Sequence, residues 1–235
     1  MQFPAPLVPG RLVGREKRFF AHVVLDDGRR VTAHCPNTGS MLGCAEPGSR
    51  VWLSPADDPR RKLAWTWELV EAGTPPSLVG INTLRANRLA REGLEAGAVP
   101  QLAGFARLRA EASPVRGTRF DFLLEWEPAR RLWLEVKSVT LAEGRRALFP
   151  DAVTARGLKH LDELVARIEA GDEAALLFVV QREDCDVFAP ADAIDPAYGR
   201  ALRAARVAGV RLLVHRLGLS PEGLNFGPAL LLADL

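Results

Sequence analysis

The sequence predicts a mixed α+β protein: a small, curled OB-like β-barrel followed by an α/β domain with a mixed central sheet. Three observations carry that expectation. Residues 1–80 hold four or five short strand signals and no helical stripe. Residues 81–235 alternate strands with amphipathic helices. Between the two lies Gly73-Thr74-Pro75-Pro76-Ser77, a linker signal. The expected domains are therefore 1–80 and 81–235.

In the first segment, RFFAHVVLDDGRRVTAHC reads as a hairpin, because apolar and β-branched runs flank Asp27-Gly28 and glycine tolerates the positive φ of a tight turn. Gly48-Ser49 leads into Arg50-Val51-Trp52-Leu53, and Leu63 to Val70 is a further strand. So few strands cannot build a two-faced sandwich, but they can curl into a barrel, an OB-fold first. In the second segment, Asn82 to Glu95 carries Leu84, Leu89 and Leu94 near one stripe, with Gly97 as its stop. A strand near Phe105 to Arg109 precedes a hairpin, Arg119 to Trp126 and Leu132 to Val139, turning at Pro128. Asp151 to Ala170 is helical, with Leu161, Leu164, Val165 and Ile168 as its stripe and Gly171 as its end. Ala174 to Val180 is uninterruptedly apolar, as a fully buried central strand should be. A helix over Asp195 to Ala208 and a strand over Val210 to His215 complete an α/β order with a mixed sheet.

Composition removes several function classes. Net charge is only +2, and residues 1–80 carry 10 basic against 8 acidic side chains while the remainder carries 21 of each. A global basic field is therefore excluded, so nucleic-acid binding would come from a local patch and be salt-sensitive. Cys35, Cys44 and Cys185 form no metal-binding spacing and read as reduced thiols. The start, MQFPAPLVPG, has no basic or apolar leader character, and no apolar stretch approaches the roughly 18 residues of a membrane span. A cytoplasmic location is expected.

Strand parity points to the chemistry. With the hairpin centred on Pro128, Phe120 faces Val136, Phe122 faces Leu134 and Leu124 faces Leu132, making one apolar face. The same register sets Asp121 opposite Glu135, about 5 Å apart at Cβ. Two carboxylates that close repel unless a cation or shared proton relieves them. Mg²⁺ or Mn²⁺ suits such a pair together with waters and a phosphate oxygen. Lys137, on the face of Glu135, can stabilise charge growing on phosphorus. Asp121, Glu135 and Lys137 thus make a candidate site for metal-assisted phosphodiester hydrolysis, against the plainer alternative of a solvated sheet face with Lys137 as a cross-strand partner.

These stretches carry a resemblance. TRFDFLL (118–124), LEVKSVTL (134–141) and FPDAVTARGLKHL (149–161), with HCPNTGSM (34–41), Lys17-Arg18-Phe19, Asn82-Thr83 and Ile194-Asp195-Pro196, are similar to the sugar fermentation stimulation protein family over nearly the whole chain. The resemblance implies an N-terminal OB-like domain joined to a restriction-endonuclease-like, PD-(D/E)XK nuclease-like domain, and DNA binding without clear sequence preference. It implies that Asp121 and Glu135 are metal ligands, that Lys137 is the catalytic lysine, and that Glu111 stands where many such nucleases keep a further acidic ligand. Gln181 resembles the extra glutamine that some of them place near the metal. Ala155 departs from the family pattern, where a glutamate is expected, and so does the Ala112–Val115 segment.

For the nucleic-acid surface, Arg15, Lys17 and Arg18 with Phe19, and Arg61 and Lys62 with Trp65 and Trp67, mix charge and aromatics as OB surfaces do. The alternative is that the aromatics are barrel core. Arg156 and Lys159 open a helix where phosphate could be held, or line a solvated helix face capped by Asp151. His160 reads as a partly buried structural residue. The expected partner is DNA, single- or double-stranded, with RNA also open; the rival is a regulator that binds DNA without cutting it.

Overall fold

A computed structural model describes residues 1–56, 60–115 and 117–235. Strands β1 (Val8–Glu16), β2 (Phe20–Leu25), β3 (Arg30–His34), β4 (Arg50–Pro55) and β5 (Trp65–Ala72) form a closed barrel in the order β1-β2-β3-β5-β4. Closure comes from parallel pairing of Ala33 with Trp65 and His34 with Thr66. Alternation supplies the interior: Leu12, Ala21, Val23, Ala33, Val51, Leu53, Trp67 and Val70 are buried together. Trp67 donates its indole N–H to the Leu69 carbonyl at 2.9 Å, so its polar atom is satisfied inside the barrel. The β2–β3 turn uses Gly28 at φ 86°, the left-handed value the Asp-Gly signal foreshadows. A short strand, β6 (Ser77–Gly80), pairs with β5 and leads into the second domain.

That domain runs α1 (Leu84–Glu95), β7 (Arg107–Ala112), β8 (Phe120–Trp126), β9 (Arg130–Val139), β10 (Leu141–Glu143), β11 (Arg146–Phe149), α2 (Ala155–Glu169), β12 (Glu173–Val180), β13 (Val187–Pro190), α3 (Pro196–Val207), β14 (Arg211–Leu219), β15 (Leu224–Ala229) and β16 (Leu231–Leu232). The six-stranded central sheet has the order β15-β14-β12-β9-β8-β7. β12 lies parallel to both β9 and β14, while the outer pairs are antiparallel, so the sheet is mixed. From Ala174 to Val180 every residue of β12 is buried. Its alternate side chains feed two cores. Ala175, Leu177 and Val179 pack with Leu89 and Leu94 of α1 on one face. Leu176, Phe178 and Val180 pack with Leu161 and Leu164 of α2 and Leu202 of α3 on the other.

A second sheet, β10-β11-β13-β16, has no counterpart in the sequence reading. Its strands are too short to show a period. Helix α2 begins after the expected Asp151 because Thr154 caps it, accepting from the Gly157 amide at 3.0 Å. Asp151 instead reaches the barrel domain, where its Oδ2 accepts from the Met41 amide and the Ser40 hydroxyl, each at 3.1 Å. The HCPNTGSM loop therefore docks on the residues leading into α2. A buried network supports the same junction: Glu68, 2% exposed, accepts from Ser54 at 2.8 Å, Asn82 at 3.0 Å and Arg85 at 2.7 Å. Phe3 and Leu7 leave the barrel to pack in the α1 core. Among the described residues no helix is long and apolar enough to cross a membrane.

Candidate active site

The site lies where the β8–β9 ladder opens. Phe122 pairs with Leu134, Leu123 with Trp133, Leu124 with Leu132 and Trp126 with Arg130, the register expected from the turn at Pro128. Among the described residues no ladder pair is formed beyond Phe122 and Leu134. There the Asp121 side chain takes over from the backbone: Oδ2 accepts from the Val136 amide at 2.7 Å and Oδ1 from the Asn87 amide of α1 at 2.6 Å.

The expected single apolar face fails at Phe120. Rather than joining Phe122 and Val136, Phe120 packs in the α2 core against Trp133, ring centroids 5.7 Å apart. A further irregularity lies one strand over. Glu111 has left-handed backbone, φ 53°, and β7 pairing passes from Ala110–Phe122 to Ala112–Phe120 without an intervening pair. The β7–β8 register is the same on both sides of this residue. Glu111 is exposed and ion-paired to Arg119 at 2.9 Å, not among the groups that meet at Glu135.

Glu135 is 4% exposed and belongs to the α2 face. Its Oε1 accepts from Lys137 Nζ at 2.7 Å and contacts His160 Nδ1 of α2. Arg156, one turn earlier on α2, donates through Nε to His160 Nε2 at 3.3 Å. Burial, followed by the nearby Glu135 charge, pushes the Asp121 carboxyl up to about 6, against opposing hydrogen bonds from Val136 and Asn87. Burial also pushes Glu135 upward, but the His160 hydrogen bond and the Lys137 ammonium outweigh it and hold the carboxyl below its usual range. Lys137 and His160 thus meet at Glu135, while Asp121 feels the Glu135 and Lys137 charges without a hydrogen bond to either; Asp121 is tied to α1 and Glu135 to α2.

The donor set can be tested for a cation. Two hard carboxylates, one of them difficult to ionise beside the other, suit Mg²⁺ or Mn²⁺, which need only one or two carboxylates plus waters and phosphate oxygens. Among the described residues no cluster of three or more His, Cys, Asp or Glu side chains could enclose an ion unaided. Gln181 is fully buried and donates to Ser138 Oγ at 2.6 Å, its Oε1 being without a partner among the described residues. It packs against Gly80 at the domain junction.

The basic residues divide. Arg15 is occupied: its guanidinium donates to the carbonyls of Asn37 at 2.7 Å, Gly39 at 3.1 Å and Arg18 at 3.1 Å, clamping the HCPNTGSM loop. Lys17 and Arg18 form the exposed tip of the β1–β2 turn beside Phe19, itself 47% exposed. Arg61 and Lys62 are exposed ahead of β5, with Arg61 donating to Thr66 Oγ1 at 3.2 Å. The pairings Phe20–His34 and His34–Thr66 set these segments at one end of the barrel, from which the docked loop leads to α2 and the exposed Arg156 and Lys159. Trp67 is core and Trp65 half-buried. Sequence reasoning missed Asn87, for which a polar position on α1 gives no signal. It undervalued His160, whose spacing of four from Arg156 was the available clue.

Two family models match this chain: the sugar fermentation stimulation protein RE domain over residues 84–223 and the SfsA N-terminal OB domain over residues 13–81. The chain belongs to the sugar fermentation stimulation protein family. A sugar fermentation stimulation protein homolog from Geobacter sulfurreducens is 54% identical over 222 residues, covering 94% of each chain. One from Ruegeria sp. is 48% identical over 231 residues, covering 98% of this chain and 99% of its own. The solved structure of Pyrococcus furiosus SfsA in complex with Ca²⁺ is 26% identical and superposes with a TM-score of 0.88, covering 99% of this chain and 97% of that one. The OB-like barrel and restriction-endonuclease-like mixed sheet are thus the fold of this family.

Proposed function

We propose that this family member is a DNA-binding protein that hydrolyses phosphodiesters with a divalent metal at Asp121 and Glu135. The observation supporting the reading is that Asp121 is buried within reach of the Glu135 charge, and is pushed up to about 6 by burial and then by Glu135. A cation is the direct relief for such a pair. The relative from Pyrococcus furiosus, solved with Ca²⁺, supports a hard cation as the family's ligand. Mg²⁺ or Mn²⁺, held by Asp121 and Glu135, would supply an activated water and neutralise phosphate charge. Lys137, 14% exposed and now bonded to Glu135, would turn its ammonium to the charge that develops on phosphorus. Lys17, Arg18, Arg61, Lys62, Arg156 and Lys159 would hold the strand along the barrel end and α2, with Phe19 and Trp65 as stacking faces. Arg15 would shape the loop between them. Glu111, engaged by Arg119, is left out of the ligand set. The buried free thiols Cys35, Cys44 and Cys185 suit a reducing, cytoplasmic compartment.

The test is incubation of labelled single-stranded DNA, duplex DNA and RNA with Mn²⁺, with Mg²⁺ and with chelator, beside Asp121→Asn and Lys137→Ala. Metal-dependent fragments should appear with the wild-type protein and vanish in both variants, which should still bind. Cleavage surviving in both variants would refute the assignment, and DNA retarded but never cut would leave a binding regulator on a nuclease scaffold.

A further inference from the structure

Glu135 receives two donors of different character on one oxygen. Lys137 Nζ reaches Oε1 from the same strand at 2.7 Å on a flexible stem. His160 Nδ1 meets the same oxygen from α2, on a rigid ring that is 9% exposed. The two donors stand 3.2 Å apart. On the far side of the ring, Arg156 Nε points at His160 Nε2 at 3.3 Å. A guanidinium can only donate. The Lys137 ammonium also only donates, but the Glu135 carboxylate only accepts and is the partner that Nδ1 meets, so the ring proton on Nδ1 faces Oε1 and Nε2 presents its lone pair to Arg156.

We propose that His160, its tautomer set by Arg156, is a positioning residue that orients the Glu135 carboxylate for a divalent cation. This rests on the reading of Asp121 and Glu135 as the metal-holding pair. The ring also frees Lys137. With His160 in place, Oε1 keeps a donor when the ammonium turns toward a phosphate. Without it, Lys137 is the remaining donor to that oxygen among the described residues, and it is held back. Asn87 does the corresponding work for Asp121 from α1, so each carboxylate is oriented by a different helix.

Mn²⁺ affinity, measured calorimetrically on wild type, His160→Ala and His160→Asn, tests the proposal. Asparagine keeps an N–H near the place of Nδ1 but nothing at Nε2. Loss of an outer partner of a metal ligand weakens affinity by about 10- to 100-fold, the change expected for alanine, with asparagine restoring most of it. Unchanged affinity in folded His160→Ala overturns the proposal. So does equal weakening in folded alanine and asparagine variants, which would show that the ring only fills space. Nitrogen-resolved NMR of the metal-free wild type is the second readout: a proton on Nδ1 of the neutral ring, becoming mixed between nitrogens in Arg156→Ala, is expected. A proton on Nε2 overturns the proposal. Should the wild type take up no Mn²⁺, the metal reading fails by itself, and the tautomer alone decides whether His160 orients Glu135.

Discussion

Replacing Asp121 by asparagine should stabilise the metal-free protein, and do so only above mildly acidic pH. The carboxyl moves from an ordinary 3.8 to about 6 on folding, mainly through burial and then through Glu135. At about 1.4 kcal/mol per unit, that is a difference of about 3 kcal/mol between the protonated and ionised forms. Because the folded value is raised, the folded state binds the proton more tightly than the unfolded chain. The contribution of Asp121 is fully present below about 3.8 and is lost as pH rises through about 6. Asparagine cannot ionise and loses nothing over that window. Its oxygen can still accept the Val136 amide, but its N–H₂ would meet Asn87, which must then present its own oxygen. That local mismatch shifts the comparison by about 1 kcal/mol at every pH and leaves the pH-dependent part intact. Urea unfolding of both proteins in chelator, at about pH 4 and about pH 8, isolates it. The stability difference should move in favour of Asp121→Asn by about 2–3 kcal/mol between the two conditions. A difference independent of pH would show that Asp121 is not held at a raised value. Movement in the opposite direction would show a carboxylate stabilised in its ionised form, and the case for a cation as relief would fall.

Three other perturbations follow from contacts elsewhere. Glu68→Ala removes the acceptor shared by Ser54, Asn82 and Arg85 at the barrel–α1 junction; a loss of about 2–4 kcal/mol in urea unfolding is expected, and a loss below about 0.5 would mean the network is dispensable. Gly39→Ala would set a Cβ 2.6 Å from Asp151 Oδ2, prising the HCPNTGSM loop from the residues before α2; about 1–3 kcal/mol should be lost, and an unchanged melting temperature would argue that the docking is loose. Burial pushes the Cys44 and Cys185 thiols up to about 11 and about 12, so both should resist a thiol reagent at pH 8 until denaturant is added. Rapid labelling of the native protein at either position would contradict the packing around Arg182.

The parts of the fold that could be read in advance are those where one period ran long enough. The run from Ala174 to Val180 announces a central strand, and the alternation on either side of Pro128 sets the β8–β9 register correctly from Phe122 to the turn. Short strands escape this kind of reading: Leu141–Glu143 and Leu231–Leu232 acquire their pairing from neighbours that only tertiary structure supplies. Asp151 illustrates a different limit. Its position before a helical stripe suggests a cap, but Thr154 lies nearer the first turn, and the aspartate goes to the barrel loop. A local rule was overruled by a partner more than a hundred residues away in the chain.

At the candidate site the parity rule reached its limit because a functional-looking pair sits where regular pairing ends. An uninterrupted ladder would have stacked Asp121 and Glu135 across one face, with Phe120 and Val136 together behind them. Instead Phe120 packs in the α2 core, and the Val136 amide is left to the Asp121 carboxylate. That exchange ties each acid to a different helix, Asn87 from α1 and His160 from α2, a relation that strand spacing cannot encode. It also accounts for the unequal electrostatics. Glu135 has two cationic or N–H partners on one oxygen and stays low, whereas Asp121 accepts from neutral amides and is driven up mainly by burial and then by the charge of its neighbour. Of the two acids, Asp121 is thus the one whose ionisation a cation would most favour, and its substitution is the sharper probe of the site.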